Sequence, residues 1–257
     1  MQWILVTASF GEERFHESAR RLVDQARLMD LFTQIVHVTE SNIGDFAPKV
    51  WKKYKNFLNS RCTGFGFYAW KPEIVNSVLL KNPGFGVIYV DAGCELNGRF
   101  VARLRLKRLM RKTKNGGHFH VLKYPEIQYT KRKVLEFFSI EKEDAVSWQV
   151  QATWFMLSGE IGREISDRWL ESCLIDISMV DDSTRDERED FVENRYDQSL
   201  LSCVVKSMKI KPSRLRPCFR PLTFTSTVRC YLHPVWSARN RTGVSIQRKR
   251  WGVFNLG

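Results

Sequence analysis

The chain has 257 residues, 43% of them hydrophobic and 12% aromatic, which is the composition of a globular protein with a sizeable core. No stretch approaches the roughly 18 apolar residues of a membrane span, and the N-terminus lacks the pattern of a signal peptide. The six cysteines show no C-x-x-C spacing, so we expect free thiols in a reducing cytoplasm and no zinc site. The net charge of +13 predicts an anionic partner: nucleic acid, a membrane surface or a phosphate-bearing small molecule.

Strand-like and helix-like segments alternate along the chain. The first apolar run, Trp3 to Ala8, predicts a strand, and it is followed by a predicted helix over 13–30 and a second strand over 32–38. We predict further strands over 87–90, 118–123 and 149–157, and helices over 46–59, 72–80, 97–113, 130–138, 161–174 and 196–208. This alternation predicts an α/β fold, a single domain with a mainly parallel mixed sheet flanked by helices.

The segment Gly84 to Glu95 places a carboxylate at the end of a strand. Val87 to Val90 form a short β-branched and aromatic run typical of a buried strand, and Asp91 follows it directly. Ligands of open α/β sheets bind beyond the carboxyl ends of the strands, so we predict that Asp91 faces a ligand. Gly93 allows a close approach of backbone or ligand. The alternative is that Asp91 only caps the next helix.

A second unusual segment, residues 64–72, combines two glycines, four aromatic residues and a lysine immediately before a predicted helix. The rings of Tyr68 and Trp70 suit stacking on bases or sugars, and Lys71 suits a phosphate at the helix start. The alternative is an aromatic turn that fills the core while Lys71 extends outward. The chain contains no P-loop and no G-x-G-x-x-G after its first strand.

Taken together, the segments at 64–72 and 88–93 resemble bacterial GT-A type glycosyltransferases of capsule and lipopolysaccharide assembly. The resemblance implies a GT-A-like nucleotide-diphospho-sugar transferase fold in one domain over 1–257. Residues 1–115 are then the nucleotide-binding half, 116–240 the acceptor half and 241–257 a basic tail.

The resemblance also implies a donor site. In such enzymes an Asp-x-Asp motif holds the sugar nucleotide, usually through a divalent metal; here Asp91 keeps the first carboxylate and Gly93 replaces the second. A Mn²⁺ or Mg²⁺ held by Asp91 and His233 is one expectation, and Glu95 as a substitute ligand or a metal-free site with basic side chains are the open alternatives. The donor-binding residues implied are Thr7, Ser9, Tyr68, Trp70, Lys71, Asp91, Gly93, His233, Arg239 and Arg241.

Two later segments carry the implied catalytic and acceptor residues. Asp197 and Gln198 look like the Asp-Gln helix start of retaining galactosyltransferases of the lipopolysaccharide type, where the pair lies against the donor sugar. They join Asp91 as catalytic candidates, and a simple helix cap is the alternative.

The acceptor candidates are Glu126, Tyr129 and Lys131, in a segment that also resembles these transferases. An inverting reaction would require a carboxylate base, for which Glu126 or an acid at 186–190 is available. The stereochemistry stays open, with a lean towards retention.

The implied function is transfer of a hexose, with UDP-hexose as the expected donor, to a saccharide or lipid-linked saccharide in surface polysaccharide synthesis. The basic helix at 103–112, with leucines on one side, suits the anionic inner face of a membrane. Two rival classes stay open: a basic nucleic-acid-binding protein that stacks bases on the aromatic segment, and a GT-A-like protein that binds sugar nucleotides without turnover.

Overall fold

The apolar runs of the sequence form a five-stranded central sheet. The fold comes from a computed structural model, which describes residues 1–59, 61–213, 218–219 and 230–245. Residues 246–257, most of the predicted basic tail, lie outside the described residues. The strands in chain order are β1 (Trp3–Ala8), β2 (Gln34–Val38), β3 (Gly86–Val90), β4 (Glu95–Leu96), β5 (Gly116–His118), β6 (Val121–Pro125), β7 (Trp148–Val150), β8 (Trp154–Ser158) and β9 (Val235–Trp236).

The central sheet has the order β2-β1-β3-β8-β5. The first three strands are mutually parallel, and β8 runs antiparallel to both of its neighbours. Four of the five strands therefore point in one direction. Two small antiparallel pairs, β4 with β9 and β6 with β7, lie outside this sheet.

Helices cover both faces of the sheet. In chain order they are α1 (Glu13–Met29), α2 (Ile43–Phe46), α3 (Pro48–Tyr54), α4 (Gly64–Phe67), α5 (Lys71–Lys81), α6 (Phe100–Lys112), α7 (Glu126–Tyr129), α8 (Arg132–Phe137), α9 (Lys142–Val146), α10 (Gly159–Ile175) and α11 (Asp197–Ser207). The predicted fold class, α/β with a mainly parallel mixed sheet flanked by helices, is confirmed.

The strand period of two divides the core between the two faces. Ile4 and Val6 of β1 belong to a large cluster with α5, α10 and α11. Trp3 and Leu5, which point to the other face, pack in a smaller cluster with α1 and α6. Every residue of β1, β3 and β8 is buried, which explains why their sequences are continuous apolar runs without alternation.

Several predicted elements are divided in the structure. The strand predicted over 149–157 is β7 and β8, interrupted at 151–153, and the strand predicted over 118–123 is β5 and β6. The helix predicted over 46–59 is the pair α2 and α3, which ends at Tyr54. The helix predicted over 97–113 begins only at Phe100, because the Asn97 side chain instead bonds the backbone of the segment around His233.

The expectation of six free thiols was wrong, because Cys218 and Cys230 form a disulfide. Their separation of 12 residues carries no sequence signal, but the fold brings their Cα atoms to 5.5 Å. The cysteines Cys62, Cys94, Cys173 and Cys203 are free. Within the described ranges, we find no helix with the length and apolar character needed to cross a membrane.

Candidate functional site

A pocket of about 650 Å³ lies at the carboxyl edge of the central sheet. It is lined by the residues that follow β1 and β3, and by residues 151–153 immediately before β8. The backbone N–H of Asp91 donates to the carbonyl of Thr153 (2.8 Å), so the end of β3 and the interrupted strand are held together. The pocket thus occupies the position where open α/β sheets bind their ligands.

One cation and two carboxylates meet at this pocket. The Lys71 Nζ atom is 2.9 Å from Asp197 Oδ2 and 3.2 Å from Asp91 Oδ1. Lys71 begins α5, Asp197 begins α11, and Asp91 follows β3, so three separate elements deliver the charges. The side chains of Lys71 and Asp197 are 3% and 5% exposed, whereas that of Asp91 is 35% exposed. Asp91 is therefore the carboxylate that a ligand can reach.

Burial and neighbouring charges have opposite effects on the pKa values of Lys71 and Asp197. Burial lowers the pKa of Lys71, but the carboxylates of Asp197 and Asp91 outweigh that effect, and the pKa ends above its ordinary value. Burial raises the pKa of Asp197 to about 6, although the Lys71 ammonium opposes the shift. At neutral pH Lys71 is thus a permanent cation shared by two carboxylates, and the trio carries a net negative charge.

Aromatic rings form one wall of the pocket. Phe65 stacks on Phe10, and Trp70 meets Phe10 edge-on, both with ring centroids 4.7 Å apart. The Lys71 ammonium lies 5.2 Å from the centre of the Tyr68 ring. The aromatic segment thus partly fills the core, as the alternative interpretation expected, but Lys71 does not extend outward.

The backbone that presents these rings has an unusual handedness. Five consecutive residues, Gly64 to Tyr68, have φ values of 59°, 54°, 93°, 57° and 59°. This is a left-handed turn, which costs roughly 1–2 kcal/mol for each residue that is not glycine. The two glycines lessen the cost. Trp70 helps to hold the turn, since its indole N–H donates to the Gly64 carbonyl (3.0 Å).

Strained backbone is concentrated around the pocket. Nine non-glycine residues of the described chain have positive φ, and four of them line the pocket: Phe65, Tyr68, Tyr196 and Arg239. Such conformations persist where the surrounding structure enforces them, often at ligand sites. Sequence reasoning missed Tyr196 and the lining residues Arg195 and Gln151; the only signal was that Tyr196 directly precedes Asp197.

The rim of the pocket is basic. Arg239 and Arg241 are exposed and line it. Asn240, between them, donates its backbone N–H to the Gly93 carbonyl (2.8 Å) and its side-chain amide to Glu95 Oε1 (2.6 Å). Glu95 is fully buried in that contact and does not line the pocket. It therefore anchors the arginine segment and does not replace the missing carboxylate at Gly93.

The residues present do not fit the expected metal site. His233 does not line the pocket: it is buried beside Trp154 and His120, and its Nδ1–H donates to the Val235 carbonyl (2.8 Å). The position between Asp91 and Asp197 is taken by the Lys71 ammonium. Among the described residues, no group of three or more His, Cys, Asp or Glu side chains has the geometry to hold a metal ion.

Of two further predicted donor residues, Thr7 and Ser9, one lies at the pocket and the other does not. Thr7 is buried within β1 and does not line the pocket, whereas Ser9, just beyond the strand, does. The Ser9 hydroxyl lies within hydrogen-bond distance of His16 (3.0 Å) and His37 (2.8 Å). Gln198 also lines the pocket; its side-chain carbonyl accepts the Ala152 N–H (3.2 Å), which ties α11 to the interruption before β8.

The predicted acceptor residues lie outside the pocket. Glu126 is fully buried and ion-paired with Lys206 (2.8 Å). Lys131 is buried against Asp181 and the Ser178 carbonyl, and Tyr129 packs on Tyr124 with ring centroids 4.7 Å apart. The contacts of Lys131 fasten residues 178–181 to the body of the fold. Residues 186–190 do not line the pocket either, so the suggested acceptor base is not found there.

Comparisons with known proteins give weak structural likeness only. No family model matches the chain, and no curated protein matches it. Mouse xyloside xylosyltransferase 1, in its apo form, shares 9% identity with a TM-score of 0.49 over 95% of this chain and 100% of its own. The glycosyltransferase GlyE of Streptococcus pneumoniae TIGR4 shares 14% identity with a TM-score of 0.43 over 100% of this chain and 58% of its own. Both TM-scores are below 0.5, so these likenesses support no conclusion about fold, activity or substrate.

Proposed function

We propose that this chain is a glycosyltransferase that moves a sugar, with UDP-hexose as the expected donor, to a saccharide or lipid-linked saccharide acceptor of surface polysaccharide synthesis. The observation that carries the proposal is the buried Lys71 held between Asp91 and Asp197, in a pocket with two arginines at its rim. Negative charge on one side and cations on the other match the two halves of a sugar nucleotide.

Glycosyl transfer separates charge along one bond. When the anomeric carbon leaves the diphosphate oxygen, the electron pair stays on the diphosphate and positive charge develops on the sugar ring. Arg239 and Arg241 are suited to the diphosphate, where each charge-assisted hydrogen bond contributes roughly 1.5–3 kcal/mol. Asp91 and Asp197 are suited to the sugar, whose hydroxyl groups donate hydrogen bonds and whose developing charge they stabilise.

Lys71 has a positioning role in this proposal. Its ammonium favours the ionised form of the buried Asp197 and fixes the direction of both carboxylates. Because it occupies the position between them, we expect transfer without a divalent metal. The acceptor hydroxyl must lose a proton as the new bond forms, and Asp91, which lines the pocket with its side chain 35% exposed, is suited to receive it.

The nucleic-acid alternative is less well supported. It needs open aromatic faces for bases, but Phe65 is stacked on Phe10 and Trp70 is 4% exposed. Tyr68 lines the pocket, where its ring can contact a single nucleotide base.

The test is a panel of sugar nucleotides, each measured by thermal shift and by release of nucleoside diphosphate, with EDTA and with added Mn²⁺. A true donor at 100 times its Kd stabilises the fold by about 2.7 kcal/mol. We expect slow hydrolysis of that donor that EDTA does not abolish. Asp91→Asn should reduce hydrolysis by at least about 100-fold, whereas Asp24→Asn, an exposed aspartate of α1, should not change it.

The outcomes separate the alternatives. Stabilisation without hydrolysis indicates a binding protein, and stabilisation by oligonucleotides alone indicates the nucleic-acid class. Hydrolysis that depends strictly on Mn²⁺ contradicts the role given to Lys71. If no sugar nucleotide stabilises the protein, the proposal is wrong.

A further inference from the structure

The outward face of α6 combines apolar and basic side chains. Phe100, Val101 and Leu104 are 74%, 41% and 49% exposed. Spacings of three and four residues place them along the same side of the helix as the exposed Arg108 and Arg111. The opposite side, formed by the buried Ala102, Leu106 and Met110, packs on the protein. The first turn thus presents an apolar patch to solvent and the later turns present cations.

The sequence around α6 carries charge of a single sign. Residues 96–125 contain nine lysines or arginines and no aspartate or glutamate. Exposed cations of α6 are Arg105, Lys107, Arg108, Arg111 and Lys112. Phe100, Val101 and Leu104 are three neighbouring exposed apolar side chains at one end of this basic helix, an arrangement that suits an interaction surface.

An exposed aromatic side chain of the neighbouring segment extends this surface. Tyr231 is 43% exposed, and the Arg99 guanidinium lies 4.6 Å from the centre of its ring. Arg105 donates to the carbonyl of the adjacent Leu232 (3.3 Å). An amphipathic tyrosine beside basic side chains is typical of proteins at a membrane–water interface.

The charge and the apolar patch together indicate which kind of partner binds this face of α6. A second copy would bring cations against cations, which is unfavourable. The chain's own residues 246–257 are basic as well, with three cations and no acid. A nucleic acid would use the cations but leave Phe100, Val101 and Leu104 in water. An anionic lipid surface satisfies both, since phosphate headgroups meet the cations and the apolar side chains enter the acyl boundary.

We infer that α6 docks this protein on an anionic lipid surface, with Phe100, Val101 and Leu104 inserted and Arg108 and Arg111 on the headgroups. The inference goes beyond the proposed transfer reaction and does not depend on it. Its test uses the full chain and flotation with vesicles of phosphatidylcholine that contain 30% phosphatidylglycerol, compared with vesicles of pure phosphatidylcholine. We expect retention by the anionic vesicles at 50 mM salt and loss of retention at 500 mM salt.

Two variants separate the charged and apolar contributions. Arg108→Gln with Arg111→Gln should weaken vesicle binding about 30-fold, from roughly 1 kcal/mol for each cation near an anionic surface. Phe100→Ser should weaken it by about ten-fold or more, because a buried aromatic ring contributes at least 1.5 kcal/mol. The matched controls are Lys52→Gln with Lys142→Gln, and Leu28→Ser, whose side chain is 77% exposed on α1.

All substituted side chains are exposed, so folding is checked by equal melting temperatures. The inference is wrong if anionic vesicles do not retain the wild-type chain at low salt, or if the α6 variants bind like their controls. It is also wrong if Phe100→Ser binds like wild type, since the apolar patch then has no part in docking. A single-stranded oligonucleotide bound where vesicles are not would assign the face to nucleic acid. Donor hydrolysis without vesicles should be equal in all these variants, which keeps this test separate from that of the transferase.

Discussion

The Lys71 ammonium lies between two carboxylates in a place that water hardly reaches. Asp197, its closer partner at 2.9 Å, is 5% exposed and has no other cation within ion-pair distance in the described chain. Removing one member of a buried ion pair leaves the other charge without compensation, which typically costs 3–5 kcal/mol. The same geometry that we assign to sugar binding therefore also contributes to folding.

We predict that Lys71→Met lowers the free energy of unfolding by about 3–5 kcal/mol at pH 8, where Asp197 is ionised. The loss should be smaller at pH 5, because Asp197 can then bind a proton and become neutral. Urea denaturation at the two pH values measures both. The double variant Lys71→Met with Asp197→Leu should regain much of the loss, and Lys52→Met, at an exposed lysine, is the control. An equal loss at both pH values would show that packing, and not charge, is responsible.

Sequence reasoning found these residues one at a time. Asp91 was predicted from its place after an apolar strand and Lys71 from the aromatic segment, whereas Asp197 was implied by the resemblance of its segment to a helix start of transferases. Their meeting depends on how distant elements pack, and single-sequence patterns do not contain that information. The same limit explains His233 and Glu126, whose chemistry suits a site but whose side chains the fold places elsewhere.

The left-handed turn from Gly64 to Tyr68 is the element that shapes the aromatic wall. Its handedness requires glycine where a side chain has no room: a Cβ on Gly66 would lie 2.7 Å from Leu58 Cδ2 and 3.2 Å from the Phe57 carbonyl oxygen. The sequence showed the two glycines but not the reason for them. Two glycines close together in a sequence are typical of a flexible loop. Here they allow a tight, strained turn.

We predict that Gly66→Ala destabilises the fold by about 1–3 kcal/mol, because the methyl group meets backbone and the φ of 93° is strained for alanine. Since the turn carries Phe65 and Tyr68, binding of the proposed sugar-nucleotide donor should weaken as well. Gly44→Ala in α2 is the matched control, with no atom within 4 Å of its Cβ, and should be neutral or slightly stabilising. Thermal denaturation with and without donor compares the two. Equal effects would mean that the turn tolerates a side chain.

The larger elements were predictable because the period and the length of a hydrophobic pattern depend only on residues that are close together in the sequence. The run from Trp3 to Ala8, the helix near 13–30 and the strand before Asp91 all correspond to observed elements. The interruption at 151–153 was hidden, because the apolar pattern continues through Ala152 and Trp154. What divides the strand is tertiary: the Thr153 carbonyl accepts from Asp91, and the Gln151 N–H donates to the His120 carbonyl (2.8 Å).

At the scale of the whole molecule, the stability of the fold depends on pH through two regions: the histidine cluster and Asp197. The half-buried His118 lies in one cluster with the buried His120 and His233, and the ring centroids of His120 and His233 are 5.5 Å apart. Burial, aided by the neighbouring His120, lowers the pKa of His118 to about 3 and that of His233 to about 4. Burial of Asp197 acts in the opposite sense, raising its pKa to about 6.

The sign of the pH dependence follows from these three groups. Between about pH 6.5 and 4 the unfolded chain protonates both histidines while the folded chain does not, so each histidine makes stability fall as the pH falls. Over about pH 6 to 4 the folded chain holds a proton on Asp197 that the unfolded chain lacks. This difference offsets the contribution of one of the two histidines. For these three groups alone, the net difference near pH 5 is about one proton, or roughly 1.4 kcal/mol per pH unit.

Urea denaturation between pH 7 and 4.5 should therefore show stability declining with acidification. Asp197→Asn removes the opposing group, so its decline should be steeper than that of wild type by up to roughly 1.4 kcal/mol per pH unit. His118→Gln with His233→Gln should flatten or reverse the slope, whatever its effect on stability at pH 7. The comparison of slopes decides the matter, because a packing defect shifts stability by the same amount at every pH. A double histidine variant with the wild-type slope would show that these two rings do not titrate differently in the folded and unfolded chains.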